Sequence, residues 1–323
     1  MTKINIISSP KYSIDLGGHV FAAEKFFHSA LSLVKNGIIR RSQILEPGCP
    51  SHKDLLLAHT PAWISKLEKN RLSPKDIARS EIPLSQAIIN AHMLAVQGTI
   101  MACEQALATG MGLHAGGGAH HAFANHGEGF CLLNDMAVGI RKIQKTRGIQ
   151  KALIIDLDAH QGNGTASIFK NSPEIFTFSM HQADIYPAMH HAGCMAGVNP
   201  TRFTPDKKET STLDLELSSG TKDRQYLAIL KRYLPRIMDK HKPEFAVYLA
   251  GADCYRNDRL AGLKLTFKGL KARDEFVFSE CLNRKVPFAV VLGGGYAKNP
   301  ADTIKIHTQT LSAAIAVYKR FTE

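Results

Sequence analysis

The feature that most constrains the fold is an alternation of short apolar segments with longer helical patterns along the chain. Several of the apolar segments are apolar on both faces, as buried parallel strands are. Strands that alternate with helices form right-handed βαβ units, which place helices on both faces of a mostly parallel sheet. We therefore predict an α/β fold with an open, mostly parallel sheet. The predicted strands are residues 3–7, 111–115, 151–156, 175–180, 213–217, 245–250 and 287–292.

The helices between these strands have recognisable ends. A Thr-Pro pair at residues 60 and 61 predicts the start of one helix, Gly110 predicts the end of another, and Thr266 is suited to cap a third. The helices predicted with both ends are residues 83–109, 266–284 and 300–321. The longest loop is predicted over residues 192–211. Since no internal repeat or linker-like segment divides the chain, we expect a single catalytic domain over residues 1–323.

Composition limits the classes of function. The 323 residues include 40 basic and 28 acidic side chains, a formal net charge of +12 with His neutral. The basic residues are dispersed and form no specific nucleic-acid motif, so the charge favours anionic partners only in a general way. No apolar run is long enough to span a bilayer, which argues against membrane insertion. Six cysteines without a CxxC pair indicate a reducing, cytoplasmic compartment. The oligomeric state is left open.

Polar residues gather where four predicted strands end. GGGAHH follows the second strand and DLDAHQGNG follows the third, while GAD and GGGY follow the last two. In open α/β sheets, ligands bind outside the carboxyl ends of the strands. We therefore expect these four segments to form one site.

The second of these segments predicts a metal site. Asp156, Asp158 and His160 are spaced by two residues, so their side chains point to one side while the chain stays extended. A carboxylate and an imidazole two residues apart, joined by Asp253 from another strand end, offer two carboxylates and one nitrogen to a divalent metal, with a position left for water, as in catalytic zinc sites. The alternative is a capped strand end with a buried cluster of ion pairs.

The other segments carry candidates for proton transfer. His120 and His121 are adjacent in a glycine-rich loop, and histidine suits proton transfer near neutral pH. A surface pair without function is the alternative. Tyr296 ends the GGGY segment and is suited to donate its hydroxyl to a developing oxyanion, although it could equally be an aromatic lid on a tight turn.

Six motifs, in this order, resemble the zinc-dependent histone deacetylase family, which includes acetylpolyamine amidohydrolases and bacterial homologues. They are GGGAHHAF, GFCLLND, DLDAHQGNG, FTFSMH, GADCYRNDRLAGL and VVLGGGY. The resemblance runs from about residue 1 to residue 320. The sequence is most similar to the class IV deacetylases and their bacterial relatives, and the resemblance implies the arginase/deacetylase-like fold.

The resemblance implies a role for each of these residues. Asp158, His160 and Asp253 would bind one Zn²⁺ per chain, and Tyr296 would polarise the carbonyl of the substrate. His120 and His121 would be the tandem histidines of the active site, and Asp156 would orient His120. The walls of the acyl tunnel would be formed by Gly129, Phe130, Tyr186 and Gly294. A structural monovalent cation, commonly K⁺, would be bound by Asp156, Asp158, His160, Ser179 and Met180.

One position departs from the class I pattern. Asn163 stands where those enzymes carry an aspartate beside the second histidine. An amide can hold the imidazole by a hydrogen bond but supplies no negative charge to the imidazolium, so a weaker charge relay is expected there. Family members of other classes share this asparagine, so activity is still expected.

The implied activity is hydrolysis of the amide of an acylated lysine, in a peptide or protein, or of a similar acylated small amine, with His121 as general base and acid. Acetylpolyamine hydrolysis is the alternative substrate class. A binuclear ureohydrolase such as arginase is disfavoured, because Gly162 replaces the carboxylate that a second metal needs. A non-catalytic binding protein is disfavoured, because no metal ligand and no tyrosine is lost.

Overall fold

The computed structural model describes residues 4–187 and 209–322. Within them, eight strands form one fully parallel sheet. The strands are β1 (Ile6–Ile7), β2 (Ile44–Leu45), β3 (Met111–His114), β4 (Ala152–Asp156), β5 (Ile175–Gln182), β6 (Leu213–Leu217), β7 (Phe245–Ala250) and β8 (Phe288–Leu292). Their order in the sheet is β2-β1-β3-β8-β7-β4-β5-β6.

Ten α-helices connect and cover these strands within the described residues. They are α1 (Lys25–Lys35), α2 (His52–Leu55), α3 (Pro61–Glu68), α4 (Pro74–Ser80), α5 (Gln86–Thr109), α6 (Asp135–Arg147), α7 (Asn163–Phe169), α8 (Asp223–His241), α9 (Phe267–Asn283) and α10 (Pro300–Thr322). None of them is long and apolar enough to cross a membrane.

Most predicted elements are confirmed, with corrections at their ends. The first strand is shorter than predicted, because only Ile6 and Ile7 pair with neighbouring strands. The helix predicted from residue 83 begins at Gln86, because the Ser85 hydroxyl accepts the backbone N–H of Ile88 and caps it. The two-residue edge strand β2 was missed, since a pair of residues has no measurable periodicity. Lys3 and residues 192–208 of the predicted loop lie outside the described residues.

The sheet is buried on both faces. Along β4, Leu153 and Ile155 pack into a core with α1, α8, α9 and α10, whereas Ala152 and Ile154 face a second core with α5 and α6. This alternation is the two-residue period of a strand. It explains why the central strands read as continuous apolar segments in the sequence.

The parallel sheet sets the position of the polar segments. Asp156 at the end of β4 lies beside Leu249 of β7 and Ser179 of β5, and Ala250 lies beside Leu292 of β8. Because all strands point the same way, the segments that follow them emerge at one edge of the sheet.

Candidate active site

Three buried side chains that could bind a metal ion converge at that edge. Asp158 and His160 follow β4, and Asp253 follows β7. The Nδ1 of His160 lies 3.1 Å from Asp158 Oδ1 and 2.9 Å from Asp253 Oδ2. One ligand atom from each residue lies within 4.8 Å of the others, and among the described residues this is the one group of three suited to hold a metal ion.

The backbone orients both carboxylates. The N–H of Gly294 donates to Asp158 Oδ2 at 2.7 Å, and the N–H of Ala159 donates to Asp253 Oδ1 at 2.8 Å. Each carboxylate therefore keeps its other oxygen turned toward His160. A Cβ on Gly294 would lie 2.3 Å from Asp253 Oδ2, so glycine is required for this close approach.

The donor set fits a divalent cation. Burial, together with the neighbouring Asp158 carboxylate, raises the pKa of Asp253 to about 8. Two carboxylates in a buried site repel each other, and a cation between them would offset both effects. Two oxygens and one imidazole nitrogen are ligands that Zn²⁺ accepts in catalytic sites.

The tandem histidines have different partners. His120 Nδ1 lies 2.8 Å from Asp156 Oδ2, and His121 Nδ1 lies 2.7 Å from Asn163 Oδ1. Burial alone would lower the pKa of His120, but Asp156 and Asp158 outweigh it and raise that pKa to about 8. Burial and the neighbouring His120 lower the pKa of His121 well below its usual range. The pair therefore combines a ring that favours the charged form with one that favours the neutral form.

Tyr296 lies beside the candidate metal-binding residue His160. Its ring centroid lies 6.3 Å from that of His160. Its backbone N–H donates to Asp258 Oδ2 at 2.7 Å, and its carbonyl accepts the backbone N–H of Arg259 at 3.1 Å. Burial, together with the charges of Asp158 and Asp253, raises the pKa of the phenol well above its usual value. The hydroxyl therefore stays protonated and can donate.

The tunnel candidates lie around the same site. Gly129, Phe130, Gly294 and Tyr296 line a cavity of about 90 Å³, which continues along apolar side chains such as Phe21. Phe130 contacts Tyr296 edge to face, with the ring centroids 6.0 Å apart.

Tyr186, the fourth tunnel candidate, lies against His121. Its ring is edge-on to His121, at 4.8 Å between centroids. Gly129 lies beside both rings, and a Cβ on Gly129 would lie 2.9 Å from each of them. A larger residue at Gly129 would therefore close the space beside His121.

The residues expected around a monovalent cation are also gathered. Asp156 and Ser179 are direct neighbours in the sheet, and Met180 is the next residue of β5. The Oδ1 of Asp156 accepts the N–H of Asp158 at 3.1 Å, which draws the chain after β4 into a tight turn. Each of the five residues, Asp156, Asp158, His160, Ser179 and Met180, is buried.

Two buried residues of the site were missed. Lys25 of α1 lies beneath Tyr296: its ammonium donates to the carbonyl of Gly295 at 3.2 Å and lies 4.9 Å from the centre of the Tyr296 ring. Burial lowers the pKa of Lys25 to about 8. Glu128 contacts Asn163 and Tyr186. Nothing in the sequence distinguishes Lys25 from other lysines at the start of a helix. Glu128 could have been noticed, because it is an acidic residue between two glycines in a motif of the site, GEGF.

Comparison with known proteins agrees with this geometry. A family model described as the histone deacetylase domain matches residues 19–311. The chain belongs to the histone deacetylase family. Histone deacetylases are hydrolases that act on amide bonds, and this chain is therefore such a hydrolase.

Relatives span nearly the whole chain. An uncharacterised protein of Picosynechococcus sp. is 38% identical over 93% of this chain and 94% of its own length. "Histone deacetylase 2" of Arabidopsis thaliana is 30% identical over 97% of this chain and 79% of its own length. The crystal structure of a histone deacetylase homologue from Aquifex aeolicus has a TM-score of 0.76 and 24% identity, and the match covers 98% of this chain and 89% of the other. That structure shares the fold.

Proposed function

We propose that this chain is a zinc-dependent deacylase that removes acyl groups from acylated lysine side chains or similar acylated amines. The observation that carries the proposal is the convergence of Asp158, His160 and Asp253 beside Tyr296 and the tandem histidines. A group that binds metal, a hydroxyl donor and a proton carrier are the parts that amide hydrolysis needs.

Asp158, His160 and Asp253 would hold the ion. Zn²⁺ bound there supplies a Lewis acid and lowers the pKa of water. Tyr296 donates its hydroxyl to the carbonyl oxygen of the substrate as negative charge develops on it. A phenol that stays protonated is suited to this role.

We assign the proton transfers to His121. Its lowered pKa keeps the ring neutral, so that its Nε2 can take a proton from the attacking water and then pass it to the departing amine. His120 has a raised pKa and is paired with Asp156, so it acts as a positive charge next to the reacting groups. The different partners of the two rings support this division of work.

The substrate is proposed at the level of its class. The apolar lining of the cavity suits an acyl group, and an amine carrier would remain outside it. The net charge of +12 argues mildly against polycationic acetylpolyamines and histone tails, although the local potential at the rim could outweigh it. We place an acylated lysine first and an acetylpolyamine second.

Two further assignments accompany this proposal. We propose a structural K⁺ at Asp156, Asp158, His160, Ser179 and Met180, which is supported by their position in adjacent turns and strands. We also propose one catalytic domain over residues 1–323 that works in a reducing, cytoplasmic compartment. The described cysteines support this compartment, since all five are free thiols.

A turnover panel tests the proposed function. Purified zinc-loaded protein is offered acetyl-, octanoyl- and myristoyl-lysine peptides and acetylpolyamines, and amine release is measured. We expect hydrolysis of at least one acyl-lysine peptide, with a lower kcat/KM for the polyamines. A preference for polyamines would move the substrate to the alternative class. No turnover of any acyl amide would contradict the proposal.

A further inference from the structure

Glu128 is a buried carboxylate beside the proposed general base. It lies between Gly127 and Gly129, and its backbone N–H and carbonyl pair with the carbonyl and N–H of Cys131, both at 2.9 Å. The residue is 4% exposed. The loop is therefore fixed by its own backbone, and the side chain points into the protein.

Two donors converge on one oxygen of this carboxylate. The Nδ2 of Asn163 donates to Glu128 Oε1 at 2.8 Å, and the hydroxyl of Tyr186 donates to the same atom at 2.7 Å. The other oxygen, Oε2, lies 3.4 Å from the Nε2 of His126. Glu128 thus connects its own loop with two residues that are distant in sequence, Asn163 and Tyr186.

We propose that Glu128 is a positioning residue that fixes the amide of Asn163 and, through it, the tautomer of His121. This inference rests on the proposed function of His121. A carboxylate oxygen accepts hydrogen bonds, so the amide of Asn163 turns its NH₂ toward Glu128 and its carbonyl oxygen toward His121. The Nδ1 of His121 must then carry the proton that it donates to Asn163 at 2.7 Å. Its Nε2 is left free to accept a proton.

Glu128 supplies a negative charge close to Asn163, which has none of its own. Asn163 has no charge, but its amide is polarised by the carboxylate behind it, and such chains of hydrogen bonds reinforce one another in a buried site. The negative charge that would support a protonated His121 is therefore present on Glu128, which contacts His121 through Asn163. Orientation of the imidazole by a fixed partner is the established role of the third member of such a relay.

The arrangement makes the effect of an aspartate at Asn163 depend on Glu128. Asn163→Asp alone places two carboxylates about 2.8 Å apart, and like charges at that distance oppose each other or share a proton. Glu128→Gln alone removes the charge and allows the amide of Asn163 to turn. The double variant carries one charge again, now directly on the partner of His121.

Four proteins test the inference: wild type, Glu128→Gln, Asn163→Asp and the double variant, each zinc-loaded and checked for metal content and thermal stability. We expect each single change to lower kcat by roughly 10- to 100-fold with little change in KM, as for other residues that orient a catalytic group. The double variant is expected to exceed both singles and to come within about 10-fold of wild type.

A spectroscopic measurement separates orientation from mere folding. In ¹⁵N-labelled protein, with the signals of His121 assigned by comparison with His121→Ala, we expect Nδ1 to be protonated and Nε2 unprotonated in wild type. Glu128→Gln should lose this single tautomer. An unchanged tautomer together with unchanged kcat would overturn the inference, as would a double variant no better than the product of the two singles. Failure of the proposed function is a separate result: wild type would then hydrolyse no acyl amide, while the tautomer still reports on Glu128.

Discussion

At the scale of single residues, the hydroxyl of Tyr296 is the group whose removal is most informative. Tyr296→Phe takes away the hydroxyl but keeps the ring, and the backbone contacts with Asp258 and Arg259 do not involve it. We expect an unchanged fold and metal content and a kcat lower by roughly 100- to 1000-fold, the usual effect of losing one oxyanion donor. Steady-state kinetics decide the matter. A kcat within a few-fold of wild type would make Tyr296 a lid.

The candidate metal-binding residues were easier to find in the sequence than the residues that contact the rest of the site. Asp158, His160 and Asp253 follow strands directly, and parallel strands deliver such residues to one edge of the sheet. Glu128 and Lys25 contact residues that are distant in sequence. Their partners depend on how loops and helices pack, which residue spacing does not encode.

At the scale of elements, His59 links the loop that contains Phe123 to the start of α6. The structure places its Nδ1 3.0 Å from the carbonyl of Phe123, and its Nε2 accepts the N–H of Asn134 at 2.9 Å. Burial lowers the pKa of His59 to about 4. An imidazole that must stay neutral to accept this hydrogen bond opposes protonation of the folded state.

This pKa predicts a loss of stability in acid. The folded pKa lies below the ordinary value of 6.5, so the contribution of His59 is complete above pH 6.5 and is lost as the pH falls toward 4. Between pH 7.5 and pH 5 the loss is about 2 kcal/mol. Urea unfolding of wild type and His59→Gln at pH 7.5 and pH 5.0 measures it. Equal losses of unfolding free energy in the two proteins would contradict the assignment.

The elements themselves were predictable where a pattern was long enough to read. The central strands β4, β7 and β8 agree with their predicted segments to within one residue. The edge strand β2 has two half-buried residues and depends on pairing with β1. Strand β2 forms because it pairs with β1 in the sheet, so the local sequence alone could not predict it.

At the scale of the whole molecule, the parallel sheet unites four polar segments that are up to about 180 residues apart. Because both faces of the sheet are covered by apolar cores, polar groups gather at the edge where the carboxyl ends of the strands lie. Fold and site thus follow from one arrangement, and the central claim is that a metal held at this edge is required for amide hydrolysis.

The most direct test is metal removal and return, measured as hydrolysis of an acyl-lysine peptide. Metal-stripped wild type should be inactive and recover with one equivalent of Zn²⁺ per chain. Asp253→Ala leaves two protein ligands and should lose far more than the roughly 10- to 100-fold expected of a residue that only orients a ligand. Bound zinc, measured by elemental analysis, should fall with it. Full activity of the metal-stripped Asp253→Ala protein would contradict the account.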